Sequence, residues 1–476
     1  MKRAGIDYDK FRNCFEDIKH ITSDLIWGDT GAVSDPFFSY IIPVYKRADL
    51  LRETLNTVLN QRPVDFAWDI VIVDNEAGGE NDTERLIREV GDPRILYYRN
   101  RENAGPDGNY NRCIELARGK WLGMIHGDDL LVDDHLQRMG AYIRDKERGR
   151  KKLAYISPRY LDFKDAGSVK IKREDVNDPL STYRKGLKIF RQTDAVITGY
   201  SVSLPSFGTV MNREVMLETG GFDKNLGICE DVITPYRLMK DYRVYVTPEI
   251  MGYHRFEGNE SIKIETIFKI CEAMCDFRDY MFERNALTRI WGSIARTPFF
   301  DLMAEYCSYL SGFSERRLKK ADFSYVYPER KPLNGLKKII FTLVEDIYCI
   351  CKGEITYEKD MEAGIKGCIE QIKRNEHAAK GVIIYGAGRA GKCAERNLRK
   401  KYGIKTRFFA VTDPGGTEKK IDGIEVRGIK ELQRYTDHIV VLATSVPEFY
   451  DEMSHQLMEL GFNDYVAADK KFRTEE

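Results

Sequence analysis

Two adjacent carboxylates, Asp128 and Asp129, follow the apolar run Trp121 to Ile125 (WLGMI) after His126 and Gly127. Such a pair suits a hard divalent cation, Mg2+ or Mn2+, which takes one or two carboxylate side chains and completes its shell with phosphate oxygens. Asp74 closes a second apolar run, Trp68 to Val73 (WDIVIV). Glu230-Asp231 opens a helix-forming stretch beyond Gly220-Gly221-Phe222-Asp223. A carboxylate held partly out of water has a raised pKa and can act as a general base. Pro43-Val44-Tyr45 with Arg47, and the loop Asn103-Ala104-Gly105 with Asn109 and Asn111, also fall at strand ends or loops. Each short motif has a plainer alternative. Asp-Asp after a strand is often a turn or a helix cap, Asp231 can cap the helix VITPYRLM, and Asp74 can be a turn residue before Gly78-Gly79.

The elements that hold these residues alternate. FFSYIIPVY from Phe37, WDIVIV, Ile95 to Tyr98 and WLGMI read as buried strands, separated by helices at Leu50 to Leu59, Thr83 to Val90 and Asn109 to Ala117. The alternation predicts an α/β fold with a parallel sheet covered by helices, whose ligands sit at the carboxyl ends of the strands. Residues 1–35 read as an N-terminal extension, with one amphipathic helix expected over Phe11 to Ile26. Residues 36–262 form the α/β domain, residues 263–378 a helical linker or subdomain, and residues 379–476 a small doubly wound domain.

Composition narrows the function. The chain has 476 residues, and its 75 Lys+Arg balance its 75 Asp+Glu. Zero net charge argues against a protein that coats nucleic acid. A hydrophobic fraction of 42% with 11% aromatics supports ordered cores. The first residues lack the apolar region of a signal peptide, and no stretch reaches the ~18 apolar residues of a membrane span. The expectation is a cytoplasmic protein, or one peripheral to the inner face of a membrane. Between Glu315 and Lys338, eight Lys/Arg stand against three acids with aromatics interleaved. Such a run is usually a solvated face, but it also suits anionic lipid. The ten cysteines show no metal or disulfide spacing and read as reduced thiols.

The ordered set IPVYKRADLLRETLNTVLNQ, VIVDN, RENAGPDGNYNRCIELARGKWLGMIHGDDLLVDDHL and GGFDKNLGICEDVITPYRLMKD resembles glycosyltransferase family 2, the inverting enzymes of GT-A fold. The resemblance covers residues 37 to 262 and implies a nucleoside-diphosphate-sugar donor, a divalent cation and a glycan or lipid-linked acceptor. It makes Asp128 the metal ligand, with Asp129 orienting the donor sugar or the loop. It places Asp74 against the base, favouring UDP, with Pro43, Val44 and Tyr45 walling it. Arg47, Asn103, Gly105 and Asn109 line the donor pocket. Asp231 is the base that takes the acceptor proton and Glu230 positions the acceptor. The chain departs from the family pattern at His126, where the first acid of Asp-x-Asp-Asp belongs, and at Asn75, often a second Asp. Residues 157 to 205, where acceptor recognition is expected, carry no motif.

Gly386-Ala387-Gly388-Arg389-Ala390-Gly391 is a G-x-G-x-x-G that follows the strand GVIIY and opens a helix, the context in which such loops bind dinucleotide phosphates. Asp413 closes the next strand, where an acid can hold a ribose. This segment resembles the small Rossmann-like domains attached to bacterial sugar-transfer proteins, which implies a dinucleotide or a nucleotide sugar as its ligand. The glycines are equally explained by close helix–strand packing. Two other classes stay open on the sequence: a non-catalytic nucleotide-sugar scaffold, and a bifunctional protein whose C-terminal domain binds NAD(P).

Overall fold

The computed structural model describes residues 8–163, 169, 171–173, 176, 187–199, 206–255, 258, 260–314, 316–328, 335–351, 372, 381–412, 419–443, 448–462 and 464–468. Contacts divide the chain into two compact units, one of residues 1–177 and 185–345, the other of residues 178–184 and 346–476.

The first unit is built on a ten-stranded sheet. Its strands are β1 (Ser23–Trp27), β2 (Phe38–Val44), β3 (Trp68–Asp74), β4 (Ile95–Asn100), β5 (Trp121–Met124), β6 (Leu130–Leu131), β7 (Leu153–Phe163), β8 (Lys188–Phe190), β9 (Val210–Asn212) and β10 (Arg243–Arg255). The order is β1-β4-β3-β2-β5-β9-β7-β10-β6, with β8 beside β10. Strands β4, β3, β2 and β5 run parallel, as their alternation with helices requires. Its helices are α1 (Ala48–Leu59), α2 (Asp82–Val90), α3 (Gly105–Leu116), α4 (His135–Lys146), α5 (Gln192–Ile197), α6 (Arg213–Glu218), α7 (Glu230–Leu238), α8 (Ile264–Glu283) and α9 (Ala286–Leu310), and the division at residue 345 falls within α10 (Gly335–Cys351).

Successive residues of β2 and β3 enter opposite cores. Tyr40, Ile42, Ile70 and Ile72 pack with Leu51 and Leu55 of α1 and Met139 of α4. Ile41, Val71 and Val73 pack with Ile114 of α3, Ile233 of α7 and Phe277 of α8. Both faces are covered, so these strands read as continuous apolar runs rather than alternating ones. The α/β class with a large central sheet, expected of a GT-A domain, is thus observed.

The N-terminal segment differs from expectation. In place of a helix over Phe11 to Ile26 there is one 3-10 turn, Cys14–Ile18, and then strand β1. β1 pairs antiparallel with β4, and Ser23 Oγ donates to Asn100 Oδ1 at 2.6 Å. The open edge of β4 offers backbone partners that an isolated helix of this length would lack, and tertiary pairing overrides local propensity. The same segment braces the glycine loop ahead of α7. Cys14 N–H donates to the Gly220 carbonyl at 2.9 Å, and Arg12 pairs with Asp223 at 2.9 Å.

The second unit is a smaller sheet of β11 (Val382–Tyr385), β12 (Thr406–Val411), β13 (Lys420–Ile421), β14 (Ile424–Gly428), β15 (Val440–Ala443) and β16 (Tyr465–Ala468), with helices α11 (Arg389–Tyr402) and α12 (Glu448–Glu459). The order is β13-β14-β12-β11-β15-β16, and all pairs but β13–β14 are parallel. Chain order reverses at β11, so the glycine loop that follows it lies at a switch point. A Cβ on Gly391 would stand 1.7 Å from the Gly386 carbonyl oxygen, so packing of α11 on the sheet alone demands glycine there. A Cβ on Gly388 would meet nothing within 4 Å. Asp413 lies outside the described residues. Among the described residues no helix is long and apolar enough to cross a membrane.

Candidate active site

The acids cluster at the carboxyl end of β5. The chain leaves β5 through His126 and Gly127, presents Asp128 and Asp129, and enters β6, which pairs with β10 at Gly252 and Tyr253. Arg255, the last residue of β10, fastens this loop from beneath. Its backbone N–H donates to Asp129 Oδ1 at 2.9 Å and its Nε to the Asp128 carbonyl at 3.0 Å. Its guanidinium also pairs with Glu53 of α1 and lies 4.6 Å from the Phe163 ring centre. Asp129 is fully buried as a result.

Asp128 is more open, and its Oδ2 lies 3.2 Å from the Arg47 guanidinium. Burial and the neighbouring Asp129 raise the pKa of Asp128. Arg47 and the preceding Lys46 have φ of 60° and 61°. Two successive side-chain-bearing residues in the left-handed region make a strained turn, the kind that fixed tertiary surroundings must hold in place.

Asp231 enters from the first turn of α7. Its Oδ2 accepts from Ser206 Oγ at 3.4 Å and its Oδ1 from the Val232 N–H at 2.9 Å. Ser206 Oγ is also 3.2 Å from His126 Nε2, and His126 Nδ1 is 3.2 Å from Asp129 Oδ2. Asp129, His126, Ser206 and Asp231 therefore form a continuous chain of contacts. The His126 ring stacks on Tyr110 of α3, with centres 5.9 Å apart and planes 17° off parallel.

Electrostatics mark the same spot. Burial raises the pKa of Asp231, although His126, the Val232 N–H and Ser206 partly offset it. Burial raises Glu230 far more, reinforced by Asp107 and Asp231. Glu230 is hydrogen-bonded to Asp107 of α3, and its Oε2 has no hydrogen-bond partner among the described residues. Two such carboxyls hold one proton more readily than two negative charges. Burial favours neutral His126, yet the carboxylates of Asp129 and Asp128 outweigh it and raise the imidazole pKa. Tyr110 feels Asp231, Glu230, Asp107 and Asp128 together.

A second network lies at the ends of β3 and β4. Asn75 Nδ2 donates to Asn103 Oδ1 at 2.9 Å and to the Gly105 carbonyl at 3.1 Å, while its Oδ1 accepts from Asn100 Nδ2 and the Ala104 N–H. Asn109 Nδ2 donates to the Val73 carbonyl at 3.0 Å. These amides staple α3 to the strand ends. Asp74 is fully buried; Tyr97 Oη at 2.7 Å and Asn81 Nδ2 at 2.9 Å donate to Oδ2, and the Glu76 N–H donates to Oδ1. In this arrangement Asp74 offers no exposed oxygen, whereas Tyr45 at the end of β2 is 51% exposed.

Of the residues singled out on sequence, Asp128, Asp129, Glu230, Asp231 and Arg47 belong to the clustered site. Asp74, Asn103, Gly105 and Asn109 belong to the amide network beside it. Pro43 and Val44 are the last residues of β2, where the Val44 carbonyl accepts from the Asn75 N–H at 2.9 Å. Asp107, Tyr110 and Ser206 were missed. No pattern in the sequence marks them, since each matters only through a neighbour remote in the chain. His254 meets the Tyr160 ring edge-on with centres 5.5 Å apart.

The donor set suits a cation. Ligand atoms of His126, Asp128 and Asp129 all lie within 4.8 Å of one another, and among the described residues no donor is aligned on buried Asp129 Oδ2.

Residues 39–202 match the sequence model of Glycosyl transferase family 2. The chain is 34% identical over 108 residues to Abequosyltransferase RfbV of Salmonella typhimurium, a match covering 22% of this chain and 32% of that protein. It is 29% identical over 146 residues to the uncharacterized protein MT1568 of Mycobacterium tuberculosis, covering 30% of this chain and 43% of that one. The chain thus spans less than half the length of either relative. Among solved structures, S. aureus TarS 1-349 in complex with UDP-GlcNAc aligns at 15% identity and a TM-score of 0.41, covering 64% of this chain and 81% of that one.

Proposed function

We propose, on the premise that residues 39–202 belong to glycosyl transferase family 2, that this protein transfers a sugar with inversion from a nucleoside diphosphate sugar to an acceptor hydroxyl. The observation that carries the proposal is the contact chain from Asp129 through His126 and Ser206 to Asp231. It links the carboxylate pair Asp128–Asp129 at the end of β5 to the buried Asp231 carboxylate of α7, which supports the roles proposed for them.

Asp231 accepts the acceptor hydroxyl's proton as that oxygen attacks the anomeric carbon. The bond from that carbon to the diphosphate breaks on the opposite face, and its electron pair leaves with the phosphate. Protonated Glu230, held by Asp107, can donate to an acceptor oxygen. Arg47 brings positive charge beside the diphosphate. Asp128 and Asp129 would hold Mg2+ or Mn2+, which when bound stabilises the charge growing on the leaving group. Exposed Tyr45 offers a face for the nucleotide base, and a UDP-sugar is the first donor to test. An abequosyltransferase relative supports a role in bacterial surface polysaccharide or glycoconjugate synthesis.

Asp231→Asn tests this directly. Transfer should fall by about 10²–10⁴-fold, the usual worth of a general base, with donor binding retained. Full transfer activity in that variant would remove the assignment.

The four-part division of the chain and the peripheral membrane contact belong to the same proposal. The exposed cations Arg316, Arg317 and Lys319 support the latter. For the C-terminal loop we propose a dinucleotide or nucleotide-sugar phosphate, supported by the open space over Gly388 at the start of α11. Thermal stabilisation by NAD(P) or a UDP-sugar that is lost in Gly388→Val would support it.

A further inference from the structure

We infer that His126 supplies a nitrogen ligand to the cation site, making it a mixed nitrogen–oxygen site that prefers Mn2+ to Mg2+. The inference rests on the cation-dependent reading above and deepens it.

Hydrogen-bond directions carry it. Ser206 Oγ has a single hydrogen, which it gives to Asp231 Oδ2 at 3.4 Å. Toward His126 Nε2, at 3.2 Å, the hydroxyl then has only lone pairs, so Nε2 is the donor. This network assigns neutral His126 its proton on Nε2 and leaves a lone pair on Nδ1. Nδ1 lies 3.2 Å from Asp129 Oδ2, and among the described residues no donor is aligned on that oxygen for a hydrogen bond. The other oxygen of Asp129 is taken by the Arg255 N–H. With His126 neutral, two lone-pair atoms thus face each other in a closed place. Neighbouring corners of an octahedron with bonds of about 2.1 Å lie about 3.0 Å apart, close to this spacing. The Asp128 carboxylate lies within reach of both.

Ser206 and the stacked Tyr110 ring fix the imidazole plane, as outer partners of metal-bound histidines do. Imidazole nitrogen suits first-row transition metals, whereas Mg2+ prefers an all-oxygen shell. His126 stands where the resembled motif has an acid, so the exchange of one side chain changes which cation the loop selects. A plain His126–Asp129 ion pair is the competing account, and it predicts no nitrogen on the metal.

The test uses the full chain and MnCl2, first alone and then with UDP. Pulsed electron paramagnetic resonance should show ¹⁴N coupling to bound Mn2+, absent in His126→Asp. Calorimetric titration with MnCl2 and MgCl2 should show the Mn2+:Mg2+ affinity ratio falling by about tenfold or more in that variant, the low end of what altered metal surroundings cost. Absence of ¹⁴N coupling in the unaltered protein, or failure to bind Mn2+ in both conditions, overturns the inference without relying on a variant that must fold. An Asp231→Asn transfer assay run alongside keeps the two proposals apart. Loss of transfer with no ¹⁴N coupling removes only the role of His126. Retained transfer removes the base assignment whatever the metal binds.

Discussion

Replacing Ser206 by alanine should move the acid limb of the rate–pH profile, and the direction follows from the contacts. Asp231 works as a base only when ionised, so activity is lost as pH falls through its raised pKa. Ser206 stabilises the ionised form by donating to Oδ2, and deleting that donor raises the pKa further. Hydrogen bonds to charged groups contribute about 1.5–3 kcal/mol. At 3.4 Å this one is long and belongs at or below the low end. One pKa unit corresponds to about 1.4 kcal/mol, so the limb should shift upward by roughly half to one unit. The other titratable groups near Asp231 are Glu230 on its own helix, His126 on the cation loop, Tyr110 on α3 and Tyr155 on β7. Ser206→Ala removes none of these four groups, but it takes away the Nε2 partner of His126. The assay is kcat/KM against pH for the unaltered protein, Ser206→Ala and Ser206→Thr. The threonine hydroxyl should restore the limb, whereas a packing role for Ser206 would lower kcat/KM equally at every pH. An unshifted limb in Ser206→Ala, in a protein whose Asp231→Asn variant is inactive, would refute the reasoning.

Arg255→Ala should destabilise the first unit by about 1–3 kcal/mol, since it removes a buried charged donor from the Asp128 carbonyl, while half-exposed Glu53 regains water. A lowered melting temperature and weakened cation binding would show it; an unchanged melting temperature would contradict the bracing role. Asp74→Ala should cost about 2–4 kcal/mol even without nucleotide, because three donors lose their buried acceptor. Denaturant unfolding of the ligand-free protein reads this, and unaltered stability would return Asp74 to a purely ligand-facing role. Buried Cys14, Cys113 and Cys271 should resist alkylation at pH 8, because burial pushes the Cys14 thiol up to about 12 and raises Cys113, while for Cys271 the lowering by Cys275 is outweighed by Cys307 and burial together. Rapid labelling of any of them in the folded protein would contradict the burial.

Much of the frame was legible because strand and helix signals are local. Runs such as WDIVIV and WLGMI bury both faces and stop at acids or glycines, and they became β3 and β5 nearly as read. The N-terminal segment was not legible, because β1 exists only through the edge of β4, more than seventy residues away. Its pairing partner leaves no trace in its own hydrophobic period. The glycine loop of the second unit shows a related limit. Gly391 answers to the Gly386 carbonyl and Gly388 to open space, yet the sequence writes both with the same letter.

The site divides along the same line. Acids are conspicuous in sequence because a carboxylate at an element's end costs solvation unless something repays it, and Asp128, Asp129 and Asp231 were singled out that way. What they do is set by residues that are chemically quiet on their own. Arg255 decides that Asp129 faces inward with one oxygen occupied, and Ser206 decides which nitrogen of His126 keeps its lone pair. Burial, reinforced by Asp107, pushes the Glu230 carboxyl up. Asp74 makes the converse case. It stands at the expected strand end, but Tyr97 and Asn81 have already filled its outer oxygen. A carboxylate's position in the chain therefore fixes where negative charge can be placed, and only its hydrogen-bond partners fix whether that charge is offered to a ligand, to a proton or to the fold itself.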